Sequence, residues 1–380
     1  MRALLVVNTA AFYLSHRRPI GRALRAAGLD VTIAAAPSAD AAREIEADGL
    51  RFEPLPLAPA GRSPSAEART VAALVALYRR LRPDVVHHVT IKPVLYGSIA
   101  ARALSIPVIN AVSGLGYAFI PQPGAPLAHR ALGRGVDLAY RAALAGERTR
   151  VIFQNPDDLA RFVEGGHVPR ARTRLVRGSG VDLSRFAPAP RPAGPPLVVL
   201  PARMLRDKGV VELVEAARVV KRARPEVRFA LVGGNDSENP ATLSTAELEA
   251  WVTEGVVEWW GHRRDMPEVL RQASLVALPS YREGLPLALA EAAACGRAVV
   301  TTDVPGCREV VRHGETGWLV PPRASGPLAR AIEEALSDDA ELDRRGAASR
   351  ALAERELSVD AVVSQTLDVY RELLGGRLPR

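Results

Sequence analysis

The chain has 380 residues, 48% of them hydrophobic and 24% charged, and a net charge of +8; this is too long for one ordinary core, too apolar for a disordered chain, and suits two domains of roughly 150–200 residues. No apolar run reaches the roughly 18 residues of a membrane-spanning helix. Two cysteines, Cys295 and Cys307, exclude a disulfide framework and, without clustered histidines, a zinc site, so a reducing cytoplasm is the natural setting.

Residues 3–8 (ALLVVN) read as a buried first strand, too soon polar for a secretion signal. A helix at 17–27 follows, stopped by Gly28 in the C′ position. Then come strand 30–35, helices 38–48 and 66–82, strand 84–88, helix 93–104 and strand 106–112. A helix near 126–146, a strand at 150–154 and a short helix from Asp157 complete the first half. Five of the ten residues 187–196 (APAPRPAGPP) are proline, which suits neither helix interior nor sheet interior and marks a domain boundary. The rhythm then restarts: strand 197–200, helix 208–223, strand 227–232, helix 246–254, strand 256–260, helix 267–273, strand 274–278, helix 285–295 and strand 297–302. Helices at 339–353 and 358–373 close the chain. Near-continuous apolar strands alternating with helices mean parallel sheets covered on both faces. The expected class is α/β, with domains at 1–187 and 188–357.

In such sheets ligands sit beyond the carboxyl ends of the strands, so site residues should fall just after strands. After strand 197–200, Arg203 and Lys208 place cations at a strand mouth and at a helix start, suited to a diphosphate or to a solvated loop. After strand 227–232, Gly233-Gly234 lets backbone approach a ligand or makes a plain turn. After Trp259-Trp260, the segment around Arg263 could read a base or form a charged turn. The densest segment follows strand 274–278: Tyr281-Arg282-Glu283-Gly284 forms a loop, Leu285-Pro286 opens a helix, and the helix LALAEAAAC carries one charge, Glu291. A carboxylate there is costly unless hydrogen-bonded. A ribose diol would supply two donors, and a buried Arg is the structural alternative. Glu283 could accept from sugar hydroxyls. In the first half His16, His88 and Lys92 pass the same filter, as do Gly114 and Gly116. His87 and His88 form an adjacent pair, of which one is more often core than ligand. Residues 1–190 hold 25 Lys+Arg against 14 Asp+Glu, and residues 191–380 hold 25 against 28. The basic half fits an anionic partner or simple surface decoration.

Taken together, these residues resemble the retaining family-4 glycosyltransferases. The carriers are Arg203 with Lys208, Glu283-Gly284-Leu285-Pro286, the Glu283–Glu291 spacing, Val304-Pro305-Gly306, Glu309, and Gly314 with Gly317. In the first half, His88, Thr90, Lys92, Pro93, Tyr96, Gly97 and Ser98, with the run 113–119, resemble the capsule, exopolysaccharide and O-antigen branch. The resemblance implies a GT-B fold: two doubly wound Rossmann-like domains facing a central cleft, the first completed by the C-terminal helix 358–380. It implies that Arg203 and Lys208 neutralise the diphosphate of a UDP-sugar and that Glu283 and the backbone of Gly284, Leu285 and Pro286 hold the sugar. Glu291 would hold the ribose, with Gly233 and Arg263 nearby. Transfer would keep the anomeric configuration and need no metal or other cofactor. The acceptor would be a polyprenyl-diphosphate-linked saccharide bound by the first domain at the inner face of the membrane, held there peripherally by basic residues. The helix near 126–146, with Arg130, Arg134 and Arg141, could lie on that anionic surface.

Two departures stand out. The glycine-rich loop that many relatives carry after the first strand is Asn8-Thr9-Ala10-Ala11-Phe12-Tyr13 here, and the histidine expected after Val112 is replaced by Ser113-Gly114. His16 is the nearest substitute. Alternative functions are a nucleotide-sugar epimerase or hydrolase on the same fold, or a non-catalytic sugar-nucleotide-binding protein. Nucleic acid is not an expected partner, since no recognised motif occurs and aromatic residues are 5% of the chain.

Overall fold

The computed structural model describes residues 1–57, 64–114, 127–236 and 239–375, and the side chains among these except those of 64 and 127–132. The chain forms two compact units, Met1–Ser179 with Val362–Arg380, and Gly180–Ala361. The crossing at Ser179 lies before the proline-rich stretch, not within it.

Strands of the first unit are β1 (Arg2–Thr9), β2 (Asp30–Ala36), β3 (Arg51–Pro54), β4 (Val85–Val89), β5 (Val108–Val112), β6 (Thr149–Phe153) and β7 (Thr173–Leu175). They form one sheet in the order β3-β2-β1-β4-β5-β6-β7, every pair parallel. Central strands β4 and β5 are buried at every position, which is why they read as unbroken apolar runs. Leu5, Ile33 and Ile109 pack on one face with Val369 and Tyr370 of the Val359–Leu374 helix. Leu4, Val6 and Val86 pack on the other face with Leu74 and Tyr78. Fully burying each such aliphatic side chain contributes roughly 1.5–3 kcal/mol.

The first turn after β1 departs from the sequence reading. A helix begins at once, Ala10–His16, with Thr9 as its N-cap accepting from Phe12 N at 3.2 Å. A second helix, Arg18–Ala26, restarts with Pro19 in its first turn. Gly28 closes it as expected: φ is 83° and Leu29 N donates to Leu24 O at 3.1 Å.

Strands of the second unit are β8 (Leu197–Pro201), β9 (Arg228–Val232), β10 (Glu258–Gly261), β11 (Leu275–Leu278), β12 (Val299–Thr302) and β13 (Gly317–Val320). Their order is β10-β9-β8-β11-β12-β13, again all parallel. One core holds both faces, with Val198, Leu213, Leu231, Val276, Leu289 and Val300 at its centre. Edge strands β3, β7 and β13 are short, and the sequence reading does not include them. Among the described residues no helix is long and apolar enough to cross a membrane.

Candidate functional site

In the second unit the mouths of β8 and β11 are knitted together. After β8, a short turn at Arg206–Lys208 leads into the Val210–Ala223 helix. Tyr281 N, just beyond β11, donates to Asp207 O at 2.9 Å. This brings Lys208 to the loop 280–286, where its Nζ donates to Glu283 Oε1 at 2.6 Å. Ser280 Oγ donates to the same oxygen at 2.7 Å. The Glu283 side chain is 11% exposed and that of Lys208 21%, so the pair is largely out of water. Its attraction is therefore strong, and removing either partner would strand a charge. The sequence places Ser280 at the strand end that opens this segment but assigns it no role of its own.

The Glu283-Gly284 peptide is held from behind by Val304-Pro305-Gly306. Glu283 N donates to Pro305 O at 3.3 Å. Gly306 has φ 82°, and a Cβ there would stand 2.6 Å from Gly284 O and 2.7 Å from Glu283 O. Only glycine fits, which gives the Val-Pro-Gly triplet a physical meaning: it fixes the loop that carries the acidic side chain. Leu285 packs against the core, and Pro286 stands at the N-cap of the Leu287–Ala294 helix.

Glu291 lies within that helix. Burial raises its carboxyl to about 7, and the nearby Arg185 cation opposes part of the shift. No hydrogen bond to the Glu291 carboxylate occurs among the described residues. A ligand bringing two hydroxyl donors would meet that need. Arg185 itself donates to Arg264 O at 3.2 Å. Asp207 is also pushed up by burial, which Lys208 opposes and Glu283 reinforces. Its Oδ1 is buried without a partner among the described residues.

Arg203 stands exposed at the β8 mouth and binds Asp236 at 2.6 Å. Gly233 lies beneath it: a Cβ there would sit 1.8 Å from Ala202 O, so the β9 end must be glycine for the β8 end to pass. Arg263 forks onto Asp265 at 2.8 and 2.5 Å at the surface and, among the described residues, makes no hydrogen bond or ion pair with Lys208 or Glu283. A second cluster lies alongside, unread in the sequence: Tyr281 OH donates to Glu212 Oε1 at 2.5 Å, and the Arg323 guanidinium lies 4.2 Å from the Tyr281 ring centre.

The first unit places its residues differently. His88 is a core side chain and not the acceptor-facing group expected of it. It is fully buried, with Nε2 2.7 Å from Tyr78 OH and Nδ1 2.9 Å from Asn110 Oδ1. Burial lowers it to about 4 and its neighbour His87 to about 3. β4 runs on to Val89, so both histidines lie inside the strand. His87 faces the other side of the sheet, 2.9 Å from Tyr370 OH. Lys92 binds Glu67 at 2.7 Å. His16 ends its helix, stacked on Phe12 with centroids 4.4 Å apart and Nδ1 2.7 Å from Ser15 Oγ. Gly114 follows β5 with φ 127°. Gly116, the rest of the run to 119, and the Arg130 side chain lie outside the described residues.

The family model described as glycosyl transferase 4-like matches residues 2–155, and that described as glycosyl transferases group 1 matches residues 195–338. The N,N'-diacetylbacillosaminyl-diphospho-undecaprenol alpha-1,3-N-acetylgalactosaminyltransferase of Campylobacter jejuni is 28% identical, over 89% of this chain and 90% of its own. Alpha-maltose-1-phosphate synthase of Mycobacterium tuberculosis is 31% identical, over 76% of this chain and 79% of its own. Among solved structures, that of Anabaena HepE in complex with UDP superposes with a TM-score of 0.76 at 21% identity, covering 98% of this chain and 100% of that one.

Proposed function

This chain belongs to the group 1, family-4-like glycosyl transferases and has the GT-B fold, two parallel-sheet Rossmann-like domains; from that premise we propose that it moves a hexosyl or N-acetylhexosaminyl group from a UDP-sugar to a polyprenyl-diphosphate-linked saccharide, in surface polysaccharide synthesis and with retention of configuration. The observation that carries the donor half is the Lys208–Glu283–Ser280 cluster at the joined mouths of β8 and β11. It sets a cation and a hydrogen-bonding carboxylate at one place, as a leaving diphosphate and a sugar hydroxyl require.

In this reading Lys208 and Arg203 stabilise charge on the departing phosphate. Each now rests on a carboxylate, Glu283 and Asp236, that keeps it ordered before the donor arrives. Glu283 accepts from the sugar, and Glu291 accepts from the ribose diol. Transfer then depends on positioning and electrostatics, with no cofactor and no essential metal. The name of the Campylobacter relative supports a lipid diphosphate acceptor, and the HepE complex with UDP supports a uridine donor. The enzyme would work at the cytoplasmic face of the membrane, attached peripherally through its basic first half.

Release of UDP from UDP-sugars, measured with and without a polyprenyl-diphospho-saccharide, tests the proposal. Release that rises at least tenfold with acceptor, together with a lengthened saccharide, is the expected outcome. Equal release in both arms would make the enzyme a hydrolase, and no release with tight UDP binding would make it a binding protein.

A further inference from the structure

Lys208 and Glu283 come from separate segments of the second unit, the turn Arg206–Lys208 after β8 and the loop 280–286 after β11. Tyr281, in that loop, grips the first segment at two points. Its backbone N donates to Asp207 O at 2.9 Å, one residue before Lys208. Its hydroxyl donates to Glu212 Oε1 at 2.5 Å, in the first turn of the Val210–Ala223 helix. These two bonds bracket Lys208 along the chain, and its Nζ then reaches Glu283, two residues beyond Tyr281.

The Tyr281 hydroxyl is kept in the donor role. Burial, and then the Glu212 carboxylate, push it well above the ordinary phenol range, so near neutral pH it holds its proton and takes no part in proton transfer. Glu212 depends on that proton. Its Oε2 is buried without a partner, and among the described residues Tyr281 is the one donor to its carboxylate. The face of the ring is engaged as well. The Arg323 guanidinium lies 4.2 Å from the ring centre. Arg323 itself stands at φ 59°, a left-handed conformation that residues other than glycine keep where the surroundings enforce it. The ring is thus held between two opposite charges, one from the helix after β8 and one from the loop after β13.

A lysine stem is flexible, and its ammonium is a point charge without the fixed fork of arginine. The precision with which Lys208 meets a ligand therefore comes from the backbone that carries it and from the groups that tie that backbone down. Hydrogen bonds weaken steeply with misalignment, so a small slip between the two segments is felt at the ligand. We infer that Tyr281 is a positioning residue for the donor: through Asp207 and Glu212 it holds the segment carrying Lys208 in register with Glu283, where a diphosphate and a sugar are to be met together. The inference rests on the donor role proposed above for Lys208 and Glu283.

The test titrates the full-length proteins with UDP and with uridine, which lacks the diphosphate, and melts them in parallel. The wild type should prefer UDP. Tyr281→Phe keeps the ring and strands the Glu212 carboxylate, so it should melt lower and lose roughly tenfold of the preference for UDP over uridine. Tyr281→Phe combined with Glu212→Leu removes both partners, which relieves the stranded charge but does not rebuild the bracket. Its melting temperature should return toward that of the wild type while its preference stays reduced. Glu212→Gln keeps an acceptor for the hydroxyl and should keep the preference. A double variant that regains the preference along with its melting temperature overturns the proposal, because the bond would then serve stability alone. An undiminished preference in Tyr281→Phe overturns it too, and both results leave Lys208 as the partner of the diphosphate. A wild type that binds uridine as tightly as UDP fails at the earlier step and sinks the donor role of Lys208 together with this inference.

Discussion

Glu291→Gln isolates the charge that the Leu287–Ala294 helix encloses. The wild-type carboxyl is raised from 4.5 to about 7 by burial. Between those values the unfolded chain has lost its proton while the folded protein keeps it, so stability falls as pH rises from about 4.5 to 7 and levels off above. A shift of that size corresponds to about 3 kcal/mol. Partial exposure of the side chain screens the charge and brings the expectation down to about 1–3 kcal/mol. Glutamine has no such titration. Wild type and variant should therefore melt alike near pH 5, and the variant should melt higher at pH 8 by roughly 2–12 °C. UDP should reverse the order of merit. Two ribose donors favour the ionised carboxylate, so UDP should bind the wild type more tightly at pH 8 than at pH 6, and the variant weakly at both. Thermal melts and calorimetric titrations over pH 5–8 measure both quantities. Parallel melting profiles, or UDP binding in Glu291→Gln that matches the wild type at pH 8, would refute the reasoning.

Other outcomes follow from the same geometry. Lys208→Ala should lower kcat by about 10²–10³, read from UDP release with saturating acceptor; near wild-type turnover would remove Lys208 from the chemistry. Gly306→Ala should cost about 1–3 kcal/mol of stability and weaken UDP binding, because its Cβ would press on Gly284 O and Glu283 O; denaturant melts and UDP titration read the two effects. His88→Leu should destabilise by about 2–5 kcal/mol, since it leaves Tyr78 OH without its partner in the core and takes one of two partners from Asn110 Oδ1, while UDP affinity stays within twofold. Peripheral attachment predicts sedimentation with anionic vesicles at low salt and release at high salt; equal recovery with neutral vesicles would argue against it.

The parallel sheets were legible because β4, β5, β8, β11 and β12 are buried throughout, and burial on both faces writes an unbroken apolar run. Of the edge strands, β3, β7 and β13 were not. β3 is Arg-Phe-Glu-Pro, half exposed, and its ladder is set by a neighbour that no local pattern reveals. The Ser325–Ser337 helix also escaped notice, with Gly326 and Pro327 in its first turn masking the periodicity of Leu328, Ile332, Ala335 and Leu336. At the candidate site the residue types and their strand-mouth positions were readable, but the pairing was not. That Lys208 rests on Glu283, 75 positions away, depends on β8 and β11 lying side by side. His88 shows the limit of the positional filter: it counts residues to the strand end, and one extra ladder position moves a side chain from the mouth into the core.

The C-terminal helix has a consequence for how the chain acquires its structure. Val362, Val369, Tyr370 and Leu374 belong to the core of the first unit, and Tyr370 supplies the hydroxyl beside buried His87. The first unit is thus built from segments on either side of the second, which is continuous from Gly180 to Ala361. During synthesis the second unit has its whole sequence available first, and the earlier-made strands of the first wait for the segment from Val362 onward to leave the ribosome. Until then the face of β1, β2 and β5 that this helix covers is uncovered hydrophobic surface. A chain cut after Ala361 should hold a folded second unit and a chaperone-dependent first one, and loss of the final turns should be felt first as aggregation, ahead of any change at the Lys208–Glu283 cluster.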